Sequence, residues 1–101
     1  MSYLEKFNIE KKIVVITGGA GLLGKTFVEA IAEIKGIPVI LDINKKRSEE
    51  LSNSIFKKYN IKPLAIQADI SQLLSIKKAN SIIIKKYKRI DVLINNAANN
   101  P

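Results

Sequence analysis

Continuous apolar runs and amphipathic stretches alternate along this chain. Ile13-Val14-Val15-Ile16 is unbroken and β-branched, as in a strand covered on both faces, and predicts a first strand over about 12–17. From about 22 to 35, Leu23, Phe27, Ala30, Ile31 and Ile34 follow i, i+4, i+7, i+8, i+11. That spacing predicts a helix with these side chains on its buried face, ended by Gly36. Ile37-Pro38-Val39-Ile40-Leu41-Asp42 reads as a second buried strand, with Pro38 near its start where a missing donor is tolerated. A second helix is expected over 45–59, with Leu51, Ile55 and Tyr59 one turn apart, and Leu64-Ala65-Ile66-Gln67-Ala68 forms a shorter third strand that runs into Asp69. Ser71 is placed to cap a third helix reaching about 87, with Leu73, Ile76, Ala79, Ile83 and Tyr87 inward. Ile90-Asp91-Val92-Leu93-Ile94 completes the series as a fourth strand, and residues 1–12, with isolated Leu4, Phe7 and Ile9, read as a lead-in clipped onto the domain.

Strict strand-helix alternation with short connections predicts a single α/β unit: a parallel sheet with right-handed crossovers and helices on both faces. In such a sheet a ligand crevice lies at the carboxyl ends of the strands. Thr17, Asp42, Asp69 and Asn95 all fall at those ends, so they are expected to share one site.

Composition narrows the chemistry. With 101 residues, 47% of them hydrophobic, the chain can bury a modest core. Its formal charge of +8, from 17 Lys plus Arg against 9 Asp plus Glu, is spread over the polar faces and ends of the expected helices. Solvated helix faces in a chain rich in Lys, Ile and Asn account for it more simply than a nucleic-acid partner. There are no cysteines, which excludes disulfides and thiolate metal sites, and no histidines, which removes the commonest general base and metal ligand. No metal site is expected. The N-terminus lacks a basic segment followed by an apolar one, and no apolar run approaches bilayer length, so a cytoplasmic protein without membrane contact is the expectation.

The chemistry centres on Thr17-Gly18-Gly19-Ala20-Gly21-Leu22-Leu23-Gly24, a turn between the first strand and the first helix. Its glycines allow a tight bend and close backbone approach, and the unpaired N–H groups of the helix that follows suit a phosphate or pyrophosphate. Two nucleotide chemistries fit. Asp42, about 24 residues after Gly18, has the spacing of the acid that meets the adenosine ribose in dinucleotide folds; it would accept the ribose hydroxyls and repel a 2′-phosphate, although Lys45, Lys46 and Arg47 follow closely. Alternatively Asp42 serves only as an acid near a helix start. The same turn, over Gly19–Thr26, also matches G-x-x-x-x-G-K-[ST], in which Lys25 would bridge terminal phosphates and Thr26 would hold magnesium. The turn by itself permits both.

Thr17-Gly18-x-x-Gly21-x-x-Gly24, Asp42, Asp69-Ile70 and Asn95-Asn96-Ala97-Ala98, in this order at successive strand ends, resemble the cofactor half of the short-chain dehydrogenase/reductase family. So does the lead-in Phe7-Asn8-Ile9 before Lys12-Ile13-Val14, and the likeness covers essentially the whole chain. An ordered set is more specific than either turn pattern. The resemblance implies a Rossmann-like doubly wound parallel sheet of four strands in the order 3-2-1-4 with three helices, and NAD, rather than NADP, as cofactor. Gly18, Gly21 and Gly24 would shape the pyrophosphate turn, lined by the backbone of Leu22 and Leu23. Asp42 would hold the adenosine ribose, Asp69 the adenine amino group with Ile70 beside the ring, and Asn95 and Ala97 would sit near the cofactor's ribose. The family's commonest glycine run has glycine where this chain has Leu22, and its fourth-strand motif usually ends in glycine where this chain has Ala98. Both departures leave the subfamily open. Paired asparagines at a strand end also commonly do no more than satisfy loop backbone.

The family's chemistry further needs a Ser and a Tyr followed four residues later by Lys, which lowers the Tyr pKa for proton exchange with the substrate oxygen. Tyr3, Tyr59 and Tyr87 are followed at that spacing by Phe7, Pro63 and Asp91. No catalytic residue is therefore assigned. The expectation is a partial NAD(P)-binding domain over 1–101, the N-terminal part of a longer oxidoreductase whose complete form acts on a small alcohol or carbonyl compound and assembles as a homo-oligomer. A truncated, inactive nucleotide-binding fragment is the alternative.

Overall fold

The computed structural model describes residues 8–96. Its elements are β1 (Ile13–Thr17), α1 (Leu22–Glu33), β2 (Ile37–Asp42), α2 (Lys45–Tyr59), β3 (Leu64–Gln67), α3 (Leu73–Tyr87) and β4 (Val92–Asn95). The four strands form one parallel sheet in the order β3-β2-β1-β4, as expected. Every residue of β1 is buried, because it has strands on both edges and helices on both faces. Alternate side chains divide the core. Val14, Ile16 and Ile40 pack with Val28 and Ala32 of α1 and Leu51 and Ile55 of α2. Ile13, Val15, Val39, Leu41 and Ile66 face the other way, toward Ala79 and Ile83 of α3.

Helix α2 follows its pattern closely. The Asn44 side chain accepts from the Arg47 amide at its start, and Asn60 closes it in the left-handed region at φ 58°. Its Leu51 and Ile55 are buried, and Tyr59 packs at the core's margin.

Helix α1 departs from expectation. Its buried residues are Gly24, Val28 and Ala32, flanked by half-buried Phe27 and Ile31, whereas Leu23, Ala30 and Ile34 are exposed. A Cβ on Gly24 would stand 2.1 Å from the Gly18 carbonyl oxygen and 2.7 Å from Gly19 Cα. The row that contains this glycine is therefore the one that approaches the turn and sheet, and the neighbouring apolar row is rotated outward. Nor does Gly36 end the helix through a left-handed conformation. Ile34 is the C-cap and Lys35 takes the positive φ, while Gly36 is buried where a Cβ would meet Ile31 and Ile9 side chains, each at 2.7 Å. The isolated Ile9 of the lead-in thus clips on as expected; Leu4 and Phe7 lie outside the described residues.

In α3 the N-cap is Gln72, not Ser71, because the Ser71 hydroxyl and amide are both bonded to the Asp69 carboxylate. Leu73 is exposed there; Ala79 and Ile83 carry the packing, with Ile76 and Tyr87 half-buried. Strand β4 begins at Val92, two residues later than expected, because Asp91 anchors the segment before it. The Asp91 carboxylate accepts from the Ile13 amide and from Arg89 Nε, each at 2.8 Å, and Arg89 also donates to the Lys11 carbonyl. Val92 and Leu93 are exposed rather than buried, since among the described residues β4 has a neighbour only on its β1 edge.

Gly24→Ala is expected to destabilise the fold by about 2–3 kcal/mol, at the upper end of overpacking costs because backbone atoms cannot step aside. Ala30→Ser, on the outward row, should stay within about 0.5 kcal/mol. Urea unfolding of both variants measures the difference; equal effects would show that the 23-27-30-34 row faces the sheet after all.

Candidate functional site

The parallel register brings the strand ends together. Thr17 on β1 lies opposite Leu41 on β2 and Asn95 on β4, and Asp42 lies opposite Gln67 on β3. The Thr17 hydroxyl stands 3.1 Å from Asn95 Oδ1 and accepts from the Asn96 amide at 3.0 Å, while Asn96 Nδ2 donates to the Gly18 carbonyl at 3.2 Å. The two asparagines therefore lock β4 to the glycine turn. Asn96, to which the sequence reading assigned no role beside Asn95, is the asparagine that bonds directly to Gly18 of the turn. Ala97 and Ala98 lie outside the described residues.

The turn folds back on the end of β2. Gly18, at φ 64°, donates to the Leu41 carbonyl at 2.7 Å, and the Ala20 amide donates to Asp42 Oδ2 at 3.0 Å. The Gly21 amide closes the turn on the Gly18 carbonyl, and the Lys25 amide begins the helical bonding on the Gly21 carbonyl. The amides at 18, 20 and 21 are thus engaged within the protein. Gly21 is the N-cap of α1 and supplies no side-chain cap, and there is no acidic residue in the first turn. The amides of Leu22, Leu23 and Gly24 are those that an α-helix cannot pair internally, at the positive end of its dipole. Amides so placed suit an anion, and the Leu22 side chain beside them is 91% exposed.

Asp42 Oδ1 accepts from the Asn44 amide at 2.8 Å, so each carboxylate oxygen holds one backbone N–H. An ionised carboxylate has about four acceptor positions, which leaves about two for a ligand's hydroxyl pair. Asp69 sits across from it. Its Oδ1 accepts from the Ser71 hydroxyl at 2.6 Å and the Ser71 amide at 3.0 Å, and its own amide donates to the Ser75 hydroxyl. These two Ser71 bonds hold the Asp69 carboxyl below the usual carboxylate range.

Gly18, Asp42, Asp69 and Ile70 line one cavity of about 180 Å³, together with Leu41, Ile43 and Ala68. Apolar walls with a carboxylate at each side suit a flat polar heterocycle attached to a sugar. A larger groove of about 560 Å³ lies by the N-terminal end of β3, lined by Glu49, Ser52, Lys62 and Tyr87 among others. It contains none of the strand-end residues, so size does not locate the site. Among the described residues no group of acidic side chains is arranged to hold a metal. Packing also disfavours the triphosphatase alternative: Gly24 lies hard against Gly18 and Gly19, and Thr26 Oγ1 is turned toward the Leu22 carbonyl of its own helix at 3.5 Å.

The family model for the short chain dehydrogenases matches residues 12–101. The chain is 35% identical over 91 residues to an NAD-dependent glycerol dehydrogenase of Listeria innocua, covering 90% of this chain and 34% of that protein. It is also 35% identical over 91 residues to a 7α-hydroxysteroid dehydrogenase of Bacteroides fragilis, covering 86% and 33%. Among solved structures, an oxidoreductase from Haemophilus influenza with bound NAD superposes with a TM-score of 0.84 at 29% identity, covering 93% of this chain and 34% of that one. An NADPH-dependent 3-quinuclidinone reductase from Rhodotorula rubra gives 0.82 at 30% identity, covering 91% and 35%. The chain therefore spans about a third of the length of these relatives.

Ser71→Ala is expected to raise the Asp69 pKa toward the ordinary carboxylate value, followed as the pH dependence of the Asp69 carboxyl carbon shift. The folded value lies below the unfolded one, so the Ser71 bonds stabilise the fold above the ordinary carboxylate range, and this is lost as pH falls through the folded value. The variant should be less stable than the parent at neutral pH and converge with it in acid.

Proposed function

Because this chain belongs to the short-chain dehydrogenase/reductase family, we propose that it is the dinucleotide-binding part of an NAD-dependent oxidoreductase acting on a small alcohol or carbonyl compound. The observation that carries this reading is the shared cavity of Gly18, Asp42, Asp69 and Ile70 beside the anion seat at Leu22, Leu23 and Gly24. The adenine ring lies between Ile70 and the apolar wall, with its amino group toward Asp69. Asp42 takes the adenosine ribose hydroxyls. Gly18, Gly21 and Gly24 keep the turn low enough for the pyrophosphate to reach the helix amides, and Asn95 lies near the cofactor's ribose. When bound, NAD supplies the hydride acceptor.

Relatives bearing NAD and NADPH in their names both occur, so cofactor choice rests on Asp42. A 2′-phosphate would bring negative charge against a carboxylate already fixed by the Ala20 and Asn44 amides. The cations Lys45, Lys46 and Arg47 are exposed on the first turn of α2, and none is paired with Asp42. This reading includes a cytoplasmic setting, a homo-oligomeric complete enzyme, and no membrane or nucleic-acid partner. Among the described residues no helix is long and apolar enough to cross a membrane.

Calorimetry on this chain should show NAD binding at least about tenfold more tightly than NADP. Lys25→Ala should leave NAD affinity within about twofold, since Lys25 lies on an exposed helix turn. Tighter NADP binding would overturn the role of Asp42; ATP binding that disappears with Lys25→Ala would support the triphosphatase instead.

A further inference from the structure

Asp42 does more than face a ligand. Its carboxylate is the acceptor for two backbone amides from different parts of the chain: Ala20, in the middle of the glycine turn, and Asn44, which caps α2. Ala20 is only 2% exposed. An N–H buried there and left without an acceptor is costly, because water cannot replace the lost partner. The neighbouring amides give it little help. Gly18 and Gly19 share the Leu41 carbonyl, at 2.7 and 3.4 Å, and Gly21 uses the Gly18 carbonyl. Asp42 therefore provides the charge-assisted link between the turn and β2.

We propose that Asp42 is a positioning residue for the pyrophosphate seat as well as the acceptor for the adenosine ribose, so that one carboxylate sets both cofactor choice and the shape of the glycine turn. This rests on the dinucleotide reading of the site. The Ala20 amide is two residues before Leu22, whose N–H opens the anion seat, and Gly21 between them is the N-cap. If Ala20 moves to find another acceptor, the cap and the Leu22 and Leu23 amides move with it. An uncharged residue at 42 then weakens pyrophosphate binding even for a ligand with no ribose hydroxyl to read. Asparagine is an incomplete replacement, because it has one acceptor oxygen for two amides and presents a donor to the other.

The test uses wild type, Asp42→Ala and Asp42→Asn, with NAD and an NAD analogue lacking both hydroxyls of the adenosine ribose. If Asp42 only reads the ribose, the analogue binds all three proteins alike. As a brace, Asp42→Ala lowers analogue affinity by about tenfold, the equilibrium equivalent of one buried unsatisfied amide. Amide hydrogen exchange without cofactor is the second readout. Ala20 should exchange about tenfold faster in Asp42→Ala, and Ala20 or Asn44 faster in Asp42→Asn, which serves if the alanine variant does not fold. Equal analogue affinities with unchanged exchange at both amides would overturn the brace and leave the dinucleotide site standing. Failure of wild type to bind NAD, with Ala20 exchange still dependent on Asp42, would sink the dinucleotide reading and leave the brace as a property of the fold.

Discussion

The structure depends on a backbone contact. Gly24 of α1 lies against the Gly18 carbonyl and Gly19 Cα with no room for a Cβ on the helix side. This contact fixes which row of α1 meets the sheet, and so places Val28 and Ala32 in the core with Val14, Ile16 and Ile40. It also sets where α1 begins, and with it where the unpaired amides of Leu22, Leu23 and Gly24 are held. Gly18 answers the same constraint from the other side, taking a positive φ so that its amide reaches the Leu41 carbonyl. Core packing and the anion seat are two outcomes of one close approach.

That contact also explains what the sequence conveyed about the fold. The strands were legible because β1 and the middle of β2 are buried on every side, which demands unbroken apolar runs. Their order, β3-β2-β1-β4, was implied by the resemblance of the strand-end motifs to the short-chain dehydrogenase/reductase family and by nothing in the apolar pattern itself. The buried face of α1 was not legible, because an apolar count favours Leu23, Phe27, Ala30, Ile31 and Ile34 and treats glycine as neutral. Glycine here belongs to the buried row, at the point where a Cβ would meet the backbone of Gly18 and Gly19. Gly36 and Ser71 were misread for a related reason: each residue type has a common role at helix ends, and each is taken up by a specific neighbour instead, Gly36 by the Ile9 and Ile31 side chains and Ser71 by Asp69.

The candidate site was legible in its side chains and opaque in its backbone. Parallel strands end at one edge, which brings Asp42 and Asp69 into a cavity with Gly18, whereas Thr17 and Asn95 bond to each other and do not line it. What could not be read is which acceptors are already engaged. Asp42 holds Ala20 and Asn44, Asp69 holds Ser71, and Thr17 joins Asn95 to Asn96. Amide donors have no letter in a sequence, and Ala20 looked like the least informative residue of its motif.

Electrostatics joins these points. The last turns of α2 and α3 carry Lys57 and Lys58, and Lys85 and Lys86, where cations complement the negative end of a helix dipole. Four of the chain's 17 basic residues thereby answer a need of its own helices. The first turn of α1 has the opposite need and no answer to it: neither an acidic side chain nor a capping side chain meets its amides. The two carboxylates that share a cavity with Gly18, Asp42 and Asp69, are bonded to Ala20 and Asn44 and to Ser71. The start of α3 is likewise without an acidic or capping side chain, so what sets the start of α1 apart is its place: it follows directly on the glycine turn whose Gly18 lines the cavity shared with Asp42, Asp69 and Ile70, and there its unpaired amides suit the anionic group of the proposed ligand.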